Sequence, residues 1–209
     1  MRKAERQQNI LRILEETYHG MNTALHYQST FELLVAVILS AQCTDERVNK
    51  ITARFFPKYN TPQKMGKLSL TEMEALIRDC GLYHAKAKNI LGTCRRLVEC
   101  YDGQVPATRE DLMTLPGAGR KTANVILSVA FHQPALAVDT HVFRVSKRLG
   151  LAKGEDPLVV EQELLKVVPR DKWSEAHHWL IWHGRKICKA RNPLCGECPV
   201  REVCPSYKR

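Results

Sequence analysis

Apolar residues return at intervals of three and four along almost the whole chain, as in Ile10, Leu11 and Leu14, and again in Phe31, Leu34, Val35, Ile38 and Leu39. A period near 3.6 gathers such residues on one face of a helix. No stretch shows a convincing alternation of apolar and polar residues, so the chain has to bury its apolar surface by packing helix on helix. Turn signals separate the helical stretches: "HGMNTA" near residue 20, "YNTPQ" near 61, "YDGQVPATRE" near 105, "FHQPALAVDT" near 135 and "AKGEDP" near 155. The pattern predicts an all-α protein of about ten helices with a non-helical tail from Asn192. With 209 residues the chain is long enough for one large domain or two small ones.

Charge narrows the partners. Thirty-two Lys and Arg against 22 Asp and Glu leave a formal +10, which attracts polyanions and points first to nucleic acid. The N-terminal stretch "MRKAERQQNILRILEETYHG" is charged throughout and has no apolar core of signal-peptide length. The longest apolar run, "LLVAVIL" at Leu33 to Leu39, falls far short of the roughly 20 residues that span a bilayer. A cytosolic setting is expected. There, eight cysteines are not expected to form a disulfide frame, and any clustering among them points to metal or catalysis.

The segment "TREDLMTLPGAGRKTANVILSVAF" reads as a helix-hairpin-helix. Thr108, followed three residues later by Asp111, starts a helix; Pro116 stops it; Gly117 and Gly119 form the turn. Main-chain N–H groups in such a turn approach a phosphate closely, and the positive end of the following helix favours the anion. These contacts position DNA without reading its sequence. Arg120 and Lys121 open the second helix. Lys121 has two readings: one more phosphate contact, or an amine nucleophile set beside Arg120 in the first helical turn. A nucleophile would want a carboxylate nearby, and Asp139 in "AVDTHVFRVSKRLG" supplies one while also suiting a helix cap. An internal echo links "GAGRKTANVIL" to "GLYHAKAKNIL" at Gly81 to Leu91: each has a Lys, two residues, Asn, a β-branched residue and an aliphatic one. The echo suggests two turn-to-helix units, each able to approach a DNA backbone.

The tail carries the tightest spacing. Cys188, Cys195, Cys198 and Cys204 form C-x6-C-x2-C-x5-C in "CKARNPLCGECPVREVC". Four thiolates hold zinc or an iron–sulfur cluster, and spacing alone leaves both open. A zinc ribbon normally shows two C-x2-C knuckles, and only one is present. Cys43, Cys80, Cys94 and Cys100 lie scattered through helical stretches and read as buried, reduced thiols. The histidines, including the pair His177 and His178, form no metal-ligand pattern.

Taken in order, "LLVAVILSAQCTD", "CGLYHAKAKNI", "LPGAGRKTAN", "AVDTHVFRV" and the cysteine quartet resemble one family, the endonuclease III DNA glycosylases, from about residue 4 to about residue 206. The resemblance implies a six-helix domain containing the hairpin, over residues 22–132, and a discontinuous domain from residues 1–21 and 133–209. The latter would carry a [4Fe–4S] cluster on Cys188, Cys195, Cys198 and Cys204, with DNA in the cleft between the two. It implies a bifunctional glycosylase and abasic-site lyase that removes oxidised pyrimidines, with Lys121 as nucleophile and Asp139 as its carboxylate partner. Gln42 and Leu82 match positions that enter the duplex where the damaged nucleotide has been flipped out. His141 and the hairpin residues Gly117, Gly119 and Arg120 match DNA-backbone contacts. Lys189 and Arg191, in the basic loop between Cys188 and Cys195, would face DNA. The partner would be double-stranded DNA with damaged bases or abasic sites, met by a monomer away from membranes in a bacterial cytosol or nucleoid.

Other glycosylases are the nearest rivals. Adenine glycosylases share the hairpin, the Asp and the cysteine spacing, but they lack a Lys at the hairpin and use a Glu where this chain has Ala36. They also carry a further C-terminal recognition domain, whereas this sequence ends at Arg209. A mismatch uracil or thymine glycosylase is excluded less firmly. From a different class, a non-catalytic hairpin module with a zinc clip would bind DNA and do no chemistry.

Overall fold

The computed structural model describes residues 2–207. Among the described residues there are eleven α-helices and no strand: α1 (Lys3–Tyr18), α2 (Thr30–Ser40), α3 (Asp45–Thr52), α4 (Pro62–Met65), α5 (Leu70–Leu76), α6 (Tyr83–Cys100), α7 (Arg109–Met113), α8 (Arg120–Val129), α9 (Thr140–Arg148), α10 (Pro157–Val167) and α11 (Trp173–Lys186). Single 3-10 turns follow at Arg170–Lys172 and Cys195–Glu197. None of these helices is long and apolar enough to cross a membrane. The chain divides into two compact units. One spans Ala24–Phe131; the other joins the stretch up to Thr23 with everything from His132 onward.

In the 24–131 unit, α2 is the central rod. Every residue from Phe31 to Leu39 is buried, which marks a helix enclosed by protein rather than one lying on a surface. Its start is fixed twice: the Ser29 hydroxyl accepts from the Glu32 N–H, and the Glu32 carboxylate accepts from the Gln28 N–H at 2.6 Å. Helices α6 and α8 both pack against it.

The hairpin forms as local chemistry dictates at its start and differs at its end. The Thr108 hydroxyl caps α7 by accepting from the Asp111 N–H and donates to the Asp111 carboxylate at 2.6 Å. Helix α7 then stops at Met113, three residues before Pro116. Pro116 therefore shapes the turn and does not terminate the helix. The turn is fastened to α6. Thr93 donates to the Pro116 carbonyl at 2.7 Å, and Arg96 Nε donates to the Thr114 hydroxyl at 3.0 Å. Gly92 lets the turn come close, since a Cβ there would lie 3.1 Å from Pro116 Cγ. Gly117 has φ +78°, a left-handed conformation that only glycine adopts without penalty.

In the discontinuous unit, α11 packs on both α1 and α9. Ile10, Leu14, Val142, Val145, Trp179 and Leu180 meet in one apolar core, and Val200 from the tail joins them. The Gln7 side chain donates to the Gly150 carbonyl at 2.9 Å, closing α1 onto the end of α9.

Gly117→Ala tests the turn. The left-handed backbone and a Cβ 3.0 Å from the Asn89 side chain both oppose it, and a loss of about 1–2 kcal/mol or more is expected in urea unfolding. An unchanged unfolding midpoint would contradict this account of the hairpin.

Candidate functional site

Helix α8 is buried on every residue from Ala123 to Val129, yet Lys121 in its first turn is exposed. Gly119 forms the N-cap in ordinary extended backbone, with no side-chain cap. A Cβ built there meets nothing within 4 Å. The leading N–H groups of a helix lack partners within the helix itself. Here they sit beside an open surface with Arg120 and Lys121 next to them, a setting suited to an anionic group.

Two further predicted residues share an unusual backbone. Gln42, just past α2, has φ 52°, and Leu82, the residue that starts α6, has φ 61°. Neither is glycine, and residues held this way tend to mark functional loops in which the surroundings fix the strain. Both side chains are exposed; Leu82 is 59% accessible. Leu82 is thus no core residue. The two loops adjoin: a Cβ on Gly81 would lie 3.4 Å from the Gln42 carbonyl oxygen.

The sequence echo between α6 and α8 proves unequal. Its Lys in α8 is exposed, but Lys86 in α6 is buried and turned inward. The α6 unit therefore presents no such Lys at the surface, because the Lys86 amine satisfies main-chain carbonyls inside the unit. The two echoed asparagines also differ in use. Asn89 underlies Gly117, whereas Asn124 accepts from Arg109 Nε at 2.9 Å and ties α8 to α7.

Asp139 lies on the discontinuous unit and Lys121 on the other. Asp139 is half-buried and caps α9, its Oδ1 accepting from the Val142 N–H at 2.7 Å. His141, the second residue of α9, is half-buried; burial pulls its pKa below the usual imidazole range, against a smaller opposing pull from Asp139.

The same helix holds the cysteine loop. Arg144 donates to the Cys188 carbonyl from Nε at 3.2 Å and Nη2 at 3.0 Å, and to the Gly184 carbonyl at 3.0 Å. Arg148 donates to the Lys189 and Ala190 carbonyls at 2.7 and 3.0 Å and reaches the Cys188 sulfur at 3.6 Å. With its carbonyls held this way, the loop leaves Lys189 and Arg191 exposed. Arg144 and Arg148 were not picked out from the sequence. Their one signal is the i, i+4 spacing on the helix after Asp139.

Cys188, Cys195, Cys198 and Cys204 line one cavity of about 310 Å³, together with Arg148, His183 and Tyr207. Among the described residues no three His, Cys, Asp or Glu side chains gather closely enough to hold one metal ion. Four thiols spread around that volume suit a polynuclear cluster better than a single zinc. His183 is buried and held neutral, its pKa brought down to about 4 by desolvation. Its Nδ1 lies 3.0 Å from the Tyr18 hydroxyl and its Nε2 lies 3.7 Å from the Cys198 sulfur. A neutral ring has one donor and one acceptor, so Tyr18 and Cys198 meet it in opposite roles. Of the other cysteines, Cys80 and Cys94 are buried and Cys43 half-buried, but Cys100 is exposed, because it falls on the outer face at the end of α6.

Residues 35–170 match the family described as HhH-GPD superfamily base excision DNA repair protein. Residues 188–204 match the iron-sulfur binding domain of endonuclease III. Endonuclease III of Haemophilus influenzae is 50% identical over 208 residues, covering 100% of this chain and 98% of its own length. Endonuclease III of Escherichia coli strain K12 is 49% identical over 208 residues, with the same coverage of 100% and 98%. A solved structure of a trapped endonuclease III–DNA covalent intermediate superposes with a TM-score of 0.95 at 47% identity, over 99% of this chain and 98% of that one. Together with the hairpin and the four-thiol cavity, these matches define a base excision repair DNA glycosylase of the helix-hairpin-helix superfamily that carries a [4Fe–4S] cluster. Within that class, the chain belongs to the endonuclease III family.

The cap on α9 makes a separable prediction. Asp139→Ala should lower folding stability by about 1 kcal/mol, and Asp139→Asn by only a few tenths, since Asn caps nearly as well. Thermal unfolding of the two variants side by side checks this; equal destabilisation would show that the carboxylate oxygen does not hold the helix end.

Proposed function

We propose that this glycosylase removes oxidised pyrimidines from duplex DNA and then cleaves the abasic site by β-elimination, with Lys121 as nucleophile. The observation that carries the reading is the exposed amine of Lys121 in the first turn of an otherwise buried helix, beside the open glycine turn. DNA enters as the partner through the family to which the chain belongs, and the +10 charge favours it. The Gly117–Gly119 turn and Arg120 hold a backbone phosphate, with His141, Lys189 and Arg191 adding further contacts to the strand. Gln42 and Leu82 enter the stack where the damaged nucleotide is extruded, because a base has to leave the helix before its sugar can be reached.

The chemistry then follows from one amine. Lys121 Nζ attacks C1′, the bond from C1′ to the base breaks, and the base departs with the bonding pair, taking up a proton. The sugar ring opens to an imine on Nζ. Loss of a C2′ proton next to that imine expels the 3′ phosphate, and hydrolysis frees the lysine. Asp139 assists by taking the proton from Lys121 or by stabilising positive charge growing on the sugar. Its cap uses one oxygen, Oδ1, so helix capping and catalysis are compatible.

Cys188, Cys195, Cys198 and Cys204 are the proposed ligands of the cluster. When bound, the cluster supplies a covalent staple for the loop, and none of the steps above transfers an electron. The protein acts as a monomer in the cytosol, at the nucleoid. An adenine glycosylase is disfavoured by Ala36, which is fully buried in α2 and offers no carboxylate.

Two experiments test this reading. Cys198→Ser should lose the cluster absorbance and the folding of the tail together, because a four-thiolate site that loses one ligand exposes its metal; full iron content in that variant would remove Cys198 from the ligand set. Lys121→Gln distinguishes chemistry from clamping. A phosphate contact alone would cost about 1 kcal/mol of DNA binding and about one unit of salt slope, with turnover of bound DNA intact. As nucleophile, its loss leaves binding in place and drops single-turnover cleavage of thymine-glycol duplex by several orders of magnitude. A borohydride-trapped adduct persisting in Lys121→Gln would defeat the mechanism.

A further inference from the structure

Lys86 is 4% exposed, and its amine donates three hydrogen bonds: to the Leu39 carbonyl at 2.8 Å, to the Ala41 carbonyl at 2.5 Å and to the Cys80 sulfur at 3.1 Å. A lysine carries three N–H donors and no acceptor, so every donor is used. The two carbonyls belong to the end of α2, where helical C=O groups lack partners within the helix and favour a cation. The Cys80 thiol in turn donates to the Leu39 carbonyl at 3.3 Å. One side chain on α6 thus ties the end of α2 to the loop that precedes α6.

What these two segments carry gives the tie its meaning. Gln42 directly follows Ala41, and Leu82 lies two residues after Cys80 and four before Lys86. Both hold positive φ, at a cost of roughly 1–2 kcal/mol for each non-glycine residue. Such a backbone persists only where its surroundings over-determine it. The contacts around each loop supply that: the Gly81 backbone lies against the Gln42 carbonyl, and Lys86 grips Ala41, directly before Gln42, and Cys80, two residues before Leu82.

We propose that Lys86 is a positioning residue that locks Gln42 and Leu82 into one rigid, two-pronged wedge for extruding the damaged nucleotide. It touches neither DNA nor the reacting sugar. The inference rests on the reading above in which Gln42 and Leu82 enter the duplex. Extrusion costs most for a stacked and paired base and least where the base is already missing. A loosened wedge should therefore slow base release from a paired lesion far more than cleavage of a preformed abasic site.

The test is single-turnover kinetics of Lys86→Met, which keeps the length of the side chain and removes the donors. On a fully paired thymine-glycol duplex, base release should fall about tenfold or more, while cleavage of a preformed abasic site falls less than about threefold. A 2-aminopurine beside the lesion should show a reduced extrusion signal in the same variant. Should Lys86→Met fail to fold, Lys86→Gln, which keeps a shorter donor, carries the same comparison with a smaller split. Equal losses on both substrates, or no loss on the paired lesion, would overturn the inference. Leu82→Ala, run in parallel, separates the two levels of the claim. If it slows base release and Lys86→Met does not, only the positioning role falls; if Leu82→Ala itself changes nothing, the wedge reading falls and takes the Lys86 role with it.

Discussion

Helix α6 is the mount on which the 24–131 unit hangs its exposed loops. Its first residue follows Leu82, Lys86 in its second turn reaches the end of α2, and Asn89, Gly92, Thr93 and Arg96 further along face the hairpin turn. The inward contacts of one helix therefore set three segments: the residues around Gln42, those around Leu82, and the turn that precedes Lys121. A helix is stiff over 18 residues, so segments fixed to it keep their spacing. Preorganisation of this kind is what positions reacting groups without a further ordering cost when the substrate arrives.

The discontinuous unit repeats the device with α9. Asp139 caps one end, and Arg144 and Arg148 on the same helix donate to the carbonyls of the cysteine loop. Arginine suits this work because its planar fork reaches several acceptors at once. The carboxylate assigned to catalysis and the loop that bears Lys189 and Arg191 are thus placed by a single rigid element. The tail that follows the loop is anchored in turn by Val200, which is buried in the core of the same unit. The tail and the core are for this reason expected to be lost together.

The parts legible in the sequence were those governed by local rules. Thr108 and Asp111 spell a helix start by spacing alone, Asp139 reads as a cap, and the cysteine quartet reads as a metal site whatever surrounds it. Pro116 misled because proline marks a boundary without saying on which side the helix has already ended. Lys86 was not legible for a different reason: its inward turn depends on carbonyls 45 and 47 positions away in the chain. The same holds for Arg144 and Arg148, whose acceptors lie 40 to 44 positions away. Positive φ at Gln42 and Leu82 could not be foreseen, since no local rule puts a glutamine or a leucine where glycine is favoured; only the packing around them explains it.

The chemistry proposed for this fold comes down to which amine forms the covalent bond. Digestion of the borohydride-reduced complex with thymine-glycol duplex, followed by mass spectrometry of the peptides, locates that bond directly in the unmodified protein. The sugar remnant is expected on the peptide that contains Lys121. A remnant on the N-terminal amine, on Lys189, or on any other lysine would contradict the assignment of the hairpin helix as the site of the chemistry.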